Sequence, residues 1–139
     1  MPKKGPRAEA ERWFRQAEQD LKDAEYLEAG ERFHLACFMS QQAAEKAIKA
    51  FLYAHGAEFV WGHSVAELCE DAKDFDPSFA EVVSLGGALD KYYVPTRYPN
   101  GLPGGIPAEA YTGDDARMAI SLARQVLEFV ARKLRSGKT

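Results

Sequence analysis

Apolar residues recur three or four positions apart along almost the whole chain, and nowhere do they alternate with the period of two that a half-buried strand needs. The pattern predicts an all-α protein. A first helix is expected over about Ala8–Ala29, carrying Ala10, Trp13, Phe14, Ala17, Leu21, Ala24 and Leu27 or Glu28 on one side, with Gly30 as its left-handed stop. A second is expected over about Arg32–His55, with Ala44, Ala47, Ile48, Phe51 and His55 as its apolar stripe and Gly56 ending it. At about 22–24 residues each they would be roughly 33–36 Å long. Only a few residues join them, so they should form a long antiparallel hairpin.

Ser64-Val-Ala-Glu67 reads as a capping box that starts a third helix running to about Phe75. Asp76-Pro77 then offers a cap followed by proline at the first helical position, and a fourth helix should carry Phe79, Val82, Val83, Leu89 and Tyr93. Gly86-Gly87 inside it costs roughly 2 kcal/mol of propensity relative to alanine, which points to close packing or a kink. The last helix, capped by Thr112 or Asp114, shows one continuous face of Ala116, Ala119, Ile120, Ala123, Leu127, Val130 and Leu134 up to about Arg135. The fold class is thus an up-and-down bundle of four to five helices. A long Pro/Gly loop, Val94–Gly113, precedes the last of them, and its Pro95, Pro99, Pro103 and Pro107 argue against a helix. So long an irregular segment suits a binding loop, a lid or a connector.

With 139 residues, 46% of them hydrophobic and 28% charged, the chain suits a single domain, with a helical core over about residues 8–135. Such a chain buries about two-thirds of its unfolded surface and needs no disulfide or metal to do so. No apolar run approaches the ~20 residues that span a bilayer, and MPKKGPRAEAE lacks a signal-type apolar stretch, so a cytoplasmic, non-membrane protein is expected. The net charge of −3 excludes a generally basic nucleic-acid binder. Residues 1–16 hold five basic and two acidic side chains, and residues 128–139 hold four and one. These ends are either solvated tails or a phosphate-seeking patch. Cys37 and Cys69 stand far apart without metal-like or redox-like spacing and read as small buried apolar residues.

Candidate chemistry concentrates on the second helix and the Pro/Gly loop. Gln42, Glu45, Lys46 and Lys49, at i, i+3, i+4 and i+7, share one polar stripe opposite the apolar one. That stripe is either a solvated face stitched by Glu45 and Lys49, or a set of cations near Phe38 and Tyr53 that meets a phosphate. His63 stands at a helix start, where backbone amides favour anions, or is a packed loop residue. Arg97, held between Pro95 and Pro99 and near Tyr92, Tyr93 and Tyr98, either offers a pre-ordered fork to phosphate or pairs with a helix carboxylate. His34 and His55 have no metal-spaced partner, and neither a nucleophile motif nor a phosphate loop occurs, so no metal, cofactor or catalytic residue is expected.

Ser40-Gln-Gln-Ala-Ala-Glu45-Lys-Ala-Ile-Lys49-Ala, then Gly56, then His63-Ser-Val-Ala-Glu-Leu68, then Thr96-Arg-Tyr-Pro99 before an Ala-rich helix, together resemble the HEPN domain family (higher eukaryotes and prokaryotes nucleotide-binding). The likeness extends from Trp13 to about Leu134. It implies a helical bundle related to the C-terminal domain of kanamycin nucleotidyltransferase, commonly a homodimer, here hiding aromatic surface from Trp13, Phe14 and the Tyr92 region. It also implies a partner role beside a minimal nucleotidyltransferase in a toxin–antitoxin-like pair, with nucleotide binding. The family-pattern positions are Gln42, Glu45, Lys46, Lys49, His63, Arg97 and Tyr98, with Lys46, Lys49 and Arg97 assigned as phosphate contacts and Tyr98 as a ring contact. Many members are metal-independent ribonucleases with Arg, four to six residues, then His. Counting from Arg97, the eligible positions are Leu102, Pro103 and Gly104, and no arginine stands at the required distance before His34, His55 or His63. Ribonuclease activity is therefore the disfavoured alternative, contact with nucleic acid stays open, and a purely structural dimerisation subunit is the third reading.

Overall fold

The computed structural model describes residues 5–136. Lys3, Lys4 and Lys138, which carry part of the charge at the two ends, lie outside them. The order is α1 (Pro6–Ala29), α2 (Phe33–Ala54), α3 (Val65–Ala72), a 3-10 helix (Pro77–Val82) running into α4 (Val83–Asp90), a 3-10 turn (Pro99–Gly101), a single turn α5 (Pro107–Ala110), and α6 (Gly113–Ser136). Among the described residues there is no strand. The fold is the expected all-α bundle.

α2 is its axis, packed on α1 along one side and on α6 along another, with α3 and α4 closing the rest. Such close approach needs small side chains, and Ala17, Ala36, Ala43, Ala44, Ala47, Ala116, Ala119 and Ala123 are fully buried. Phe79 fills the wider end, 4.3 Å from the Phe51 ring and edge-on to Phe129 at 4.9 Å. Cys37 and Cys69 are buried free thiols, as their spacing suggested.

The α1 stop differs from expectation by one residue. Gly30 has φ −87°, and Glu31 takes the left-handed φ of 61°. Arg32 N–H donates to Leu27 O at 2.8 Å and Glu31 N–H to Glu28 O at 2.9 Å, a Schellman closure that requires the left-handed residue at position 31. At the end of α2 the same closure uses Gly56, φ 95°, as predicted. The third helix ends at Ala72 and continues in turns to Phe75, and Tyr93 lies beyond α4.

The caps also redistribute. Ser64 accepts from Glu67 N–H at 3.1 Å, but the reciprocal role passes to Asp90, which accepts from Ser64 Oγ (2.6 Å), Val65 N–H (2.6 Å) and Ala66 N–H (3.2 Å). The two-way capping box is instead Thr112 with Asp115. Asp76 caps the 3-10 helix, and hydrogen bonds from the Ser78 hydroxyl and amide hold its carboxyl below the usual range. Gly86 is a close-packing glycine: an added Cβ would lie 2.8 Å from the Ala66 nitrogen.

The Pro/Gly loop is folded. Thr96 is fully buried and donates to Tyr92 O, Gly101 sits against Pro95, and Pro107, expected to exclude a helix, opens the turn α5. Proline costs no hydrogen bond at a first helical position.

Candidate functional site

The polar stripe of α2 is not a solvated face. Glu45 and Lys49 are 4% and 6% exposed, because α1 covers one flank of the stripe and the loop before α3 covers the other. Lys49 Nζ meets Glu45 at 3.0 Å, so the expected ion pair exists, but in the interior. Trp13 of α1 lies 5.7 Å from that ammonium and stacks on Tyr53 at 5.2 Å. One turn away Lys46 pairs with Asp20 of α1, which is buried and also accepts from Gln16 at 2.8 Å. Of the three cations assigned to a phosphate, the two on α2, Lys46 and Lys49, are thus already matched by carboxylates. Lys49 is placed to hold Glu45 rather than to meet a ligand from solvent, and its neighbour ring is Trp13, not Phe38.

Glu45 is the hub. Its carboxylate accepts from Gln42 Nε2 at 3.2 Å and from Gln41 Nε2 at 3.4 Å, and faces His63 Nδ1 at 3.4 Å. Gln41, fully buried, also donates to the His63 carbonyl at 2.7 Å and accepts from Gln42 at 2.8 Å. These bonds tie the loop before α3 to the helix and fix the backbone that carries the imidazole. The His63 side chain is 58% exposed and stacks on Tyr93 at 4.8 Å.

Arg97 completes the cluster. Its Nε donates to Tyr93 O at 2.8 Å, and its guanidinium carbon lies 4.4 Å from the Phe38 ring, 4.6 Å from Tyr93 and 5.1 Å from the half-exposed Tyr98. The reading in which it pairs with a helix carboxylate is overturned: among the described residues Arg97 has no acidic partner within ion-pair distance. Rings have taken that place, which holds the plane of the fork without neutralising it.

Gln42, Glu45, Lys49, His63, Arg97 and Tyr98 therefore form one continuous site, and Lys46 stands apart on the α1 side. Tyr93, Phe38 and Gln41 hold the site together: the sequence had set Tyr93 near Arg97 and Phe38 near the α2 cations, whereas Gln41 stood only within the Ser40-Gln-Gln run and was given no role. Asp20 and Asp90 had none, since both act across more than twenty residues. Chemically, the site offers an unpaired, half-buried guanidinium, an exposed imidazole with a carboxylate behind one nitrogen, and a phenol ring at the rim. This set suits an anion attached to a flat or polar group. Among the described residues no group of three or more His, Cys, Asp or Glu side chains could hold a metal ion, and no helix is long and apolar enough to cross a membrane.

Of the aromatic residues expected at a dimer contact, Trp13 stacks within the chain, and Phe14 and Tyr92 pack on the core. The most exposed large apolar side chains are Trp61, Tyr26 and Phe59.

The family model described as HEPN domain matches residues 10–134. The chain is 29% identical over 131 residues to the Methanocaldococcus jannaschii protein named "Putative toxin MJ1304", covering 87% of this chain and 85% of that one. Its fold superposes on the crystal structure of TT1696 from Thermus thermophilus with a TM-score of 0.82 and 40% identity, covering 89% of this chain and 97% of the other. It also superposes on ST0689, an archaeal HEPN homologue, with a TM-score of 0.75 and 39% identity over 90% and 97% of the two chains.

Proposed function

The chain belongs to the HEPN domain family, and on that premise we propose that it is a helical module which binds a nucleotide or similar phosphorylated ligand at Arg97, His63 and Tyr98. We further propose that it works as a homodimer beside a minimal nucleotidyltransferase in a toxin–antitoxin-like pair. One observation carries the binding reading: a half-buried guanidinium held against three rings, with no carboxylate among the described residues to neutralise it. A cation whose side-chain freedom is already restricted loses little entropy when an anion docks. The toxin-named archaeal relative supports the pairing.

The test is thermal unfolding of wild type and Arg97→Ala with ATP or GTP. Nucleotide at a hundred times its Kd stabilises a one-site protein by about 2.7 kcal/mol, so the wild type should melt at higher temperature and Arg97→Ala should not respond. No shift at millimolar nucleotide discards the reading. Co-purification with a nucleotidyltransferase encoded beside it tests the partner.

A second reading is favoured by a different observation. Arg97 and His63, 34 residues apart in sequence, both lie within 5 Å of the Tyr93 ring, and Glu45 stands behind His63 Nδ1. A carboxylate-oriented imidazole and a guanidinium held on one aromatic ring are groups of the kind that move a proton and stabilise an anionic phosphorus centre, the two tasks of metal-independent RNA cleavage. Cleavage of single-stranded RNA that is lost in His63→Ala and in Arg97→Ala would establish it, and an inert purified protein would end it.

A further inference from the structure

Phe59 and Trp61 are 76% and 83% exposed, although the loop that carries them is tied down. Val60, between them, packs on the core and donates its N–H to the Tyr53 hydroxyl at 3.2 Å. Gln41 holds the far end at the His63 carbonyl, and Gly56 and Gly62, with φ of 95° and 98°, turn the chain at either side. The alternation of outward, inward and outward side chains presents both rings to solvent, stacked 6.1 Å apart with 22° between their planes. Nothing among the described residues covers them.

We propose that Trp61 and Phe59 are the base-stacking subsite of the ligand site, so that the protein selects nucleotides over phosphates that lack an aromatic base. The inference rests on the reading of Arg97 as the phosphate contact. Trp61 is two residues from His63, no more than about 7 Å of backbone. His63 and Arg97 both lie against the Tyr93 ring, so Tyr93, His63 and two residues of loop link the phosphate contact to Trp61, and the proposal requires the sugar and base of a ligand anchored at Arg97 to cover that distance. A flat guest fits the geometry. It stacks on the outer face of either ring, or enters between them once their separation opens to about 7 Å, twice the ~3.5 Å contact distance of carbon atoms. Because the loop is pinned at both ends, the backbone that carries the rings is in place before the ligand arrives. Glu58, exposed beside Phe59, opposes use of the same rings as a wedge into an anionic membrane.

The experiment is calorimetric titration of wild type, Trp61→Ala and Phe59→Ala with ATP, with pyrophosphate and with ribose 5-phosphate. Both side chains are exposed, so unchanged melting temperatures should verify folding. Trp61→Ala should bind ATP about tenfold more weakly, within the range for loss of one base–aromatic stack, while its affinity for pyrophosphate stays that of wild type. In a Trp13→Phe background, ATP should quench the remaining Trp61 fluorescence and pyrophosphate should not. Unchanged ATP affinity in both variants overturns the subsite while leaving the Arg97 reading in place. If wild type binds neither ATP nor pyrophosphate, the Arg97 reading falls and takes the subsite with it. A change from dimer to monomer on Trp61→Ala, with ATP affinity unaltered, gives the rings to a second copy of the chain and also overturns the proposal.

Discussion

Arg97 commits its Nε–H to the carbonyl of Tyr93 at 2.8 Å and lays its guanidinium carbon 4.6 Å from the ring of that same residue. One residue thereby fixes both the position and the plane of the cation, and the guanidinium makes no other hydrogen bond within the described residues. Replacement by lysine keeps the charge but loses the carbonyl bond and the planar fork. Arg97→Lys should therefore weaken nucleotide binding about tenfold or more in calorimetric titration, with little change in melting temperature. Wild-type affinity in Arg97→Lys would show that charge alone suffices.

Asp90 closes the first turn of α3 from 25 residues away. Asp90→Ala leaves the Val65 and Ala66 amides and the Ser64 hydroxyl without that acceptor, a loss of about 2–4 kcal/mol by the measured worth of caps and charged hydrogen bonds. Denaturant titration should show a lower midpoint with an unchanged slope. A loss below about 0.5 kcal/mol would mean that water replaces the carboxylate.

The glycine pair separates into opposite responses. A Cβ on Gly86 would lie 2.8 Å from the Ala66 nitrogen and 2.9 Å from the Val65 carbonyl carbon. Backbone there cannot yield cheaply, so Gly86→Ala should cost about 1–3 kcal/mol. Gly87 has nothing within 4 Å, and Gly87→Ala should stabilise by roughly 0.5–1 kcal/mol. Glu31→Gly relieves a left-handed backbone and should gain about 1 kcal/mol. Equal effects at Gly86 and Gly87 would contradict the close contact between α4 and the start of α3.

Burial pushes the Cys37 and Cys69 thiols up from 9.0 to about 12, with the Asp115 charge adding at Cys37 and the Asp90 and Glu70 charges adding at Cys69. The folded chain keeps these protons where the unfolded chain releases them. Stability should therefore be insensitive to the thiols below pH 9 and fall as pH rises from about 9 towards 12. The decline should be shallower in Cys37→Ala and in Cys69→Ala, followed by denaturant titration across that range. A thiol reagent at neutral pH should label neither cysteine until the chain unfolds.

The helices were legible because they depend on neighbours three and four residues away. The spacing of Ala116, Ala119, Ile120, Ala123, Leu127 and Val130 predicted the buried face of α6, and Gly56 marked the end of α2 through a left-handed turn that disfavours a side chain. The same local logic erred where competing local solutions were nearly equal. Gly30 and Glu31 differ by one residue in the same closure, and Ser64 fits a capping box with Glu67 whether or not Asp90 arrives from elsewhere.

The order of helices and the small-residue core were available from the chain alone, because helical period and short motifs are properties of consecutive residues, while the grouping of Gln42, Glu45, Lys46, Lys49, His63, Arg97 and Tyr98 as one candidate site came from the family resemblance. Which of those charges stay open was decided only by the tertiary structure. Lys46 and Lys49 look like Arg97 in sequence, yet Asp20 and Glu45 neutralise them, while Phe38, Tyr93 and Tyr98 surround Arg97 without doing so. A pattern along one helix shows which side chains share a face. Whether that face meets water, a carboxylate or an aromatic ring depends on segments tens of residues away, brought there by the packing of the whole bundle.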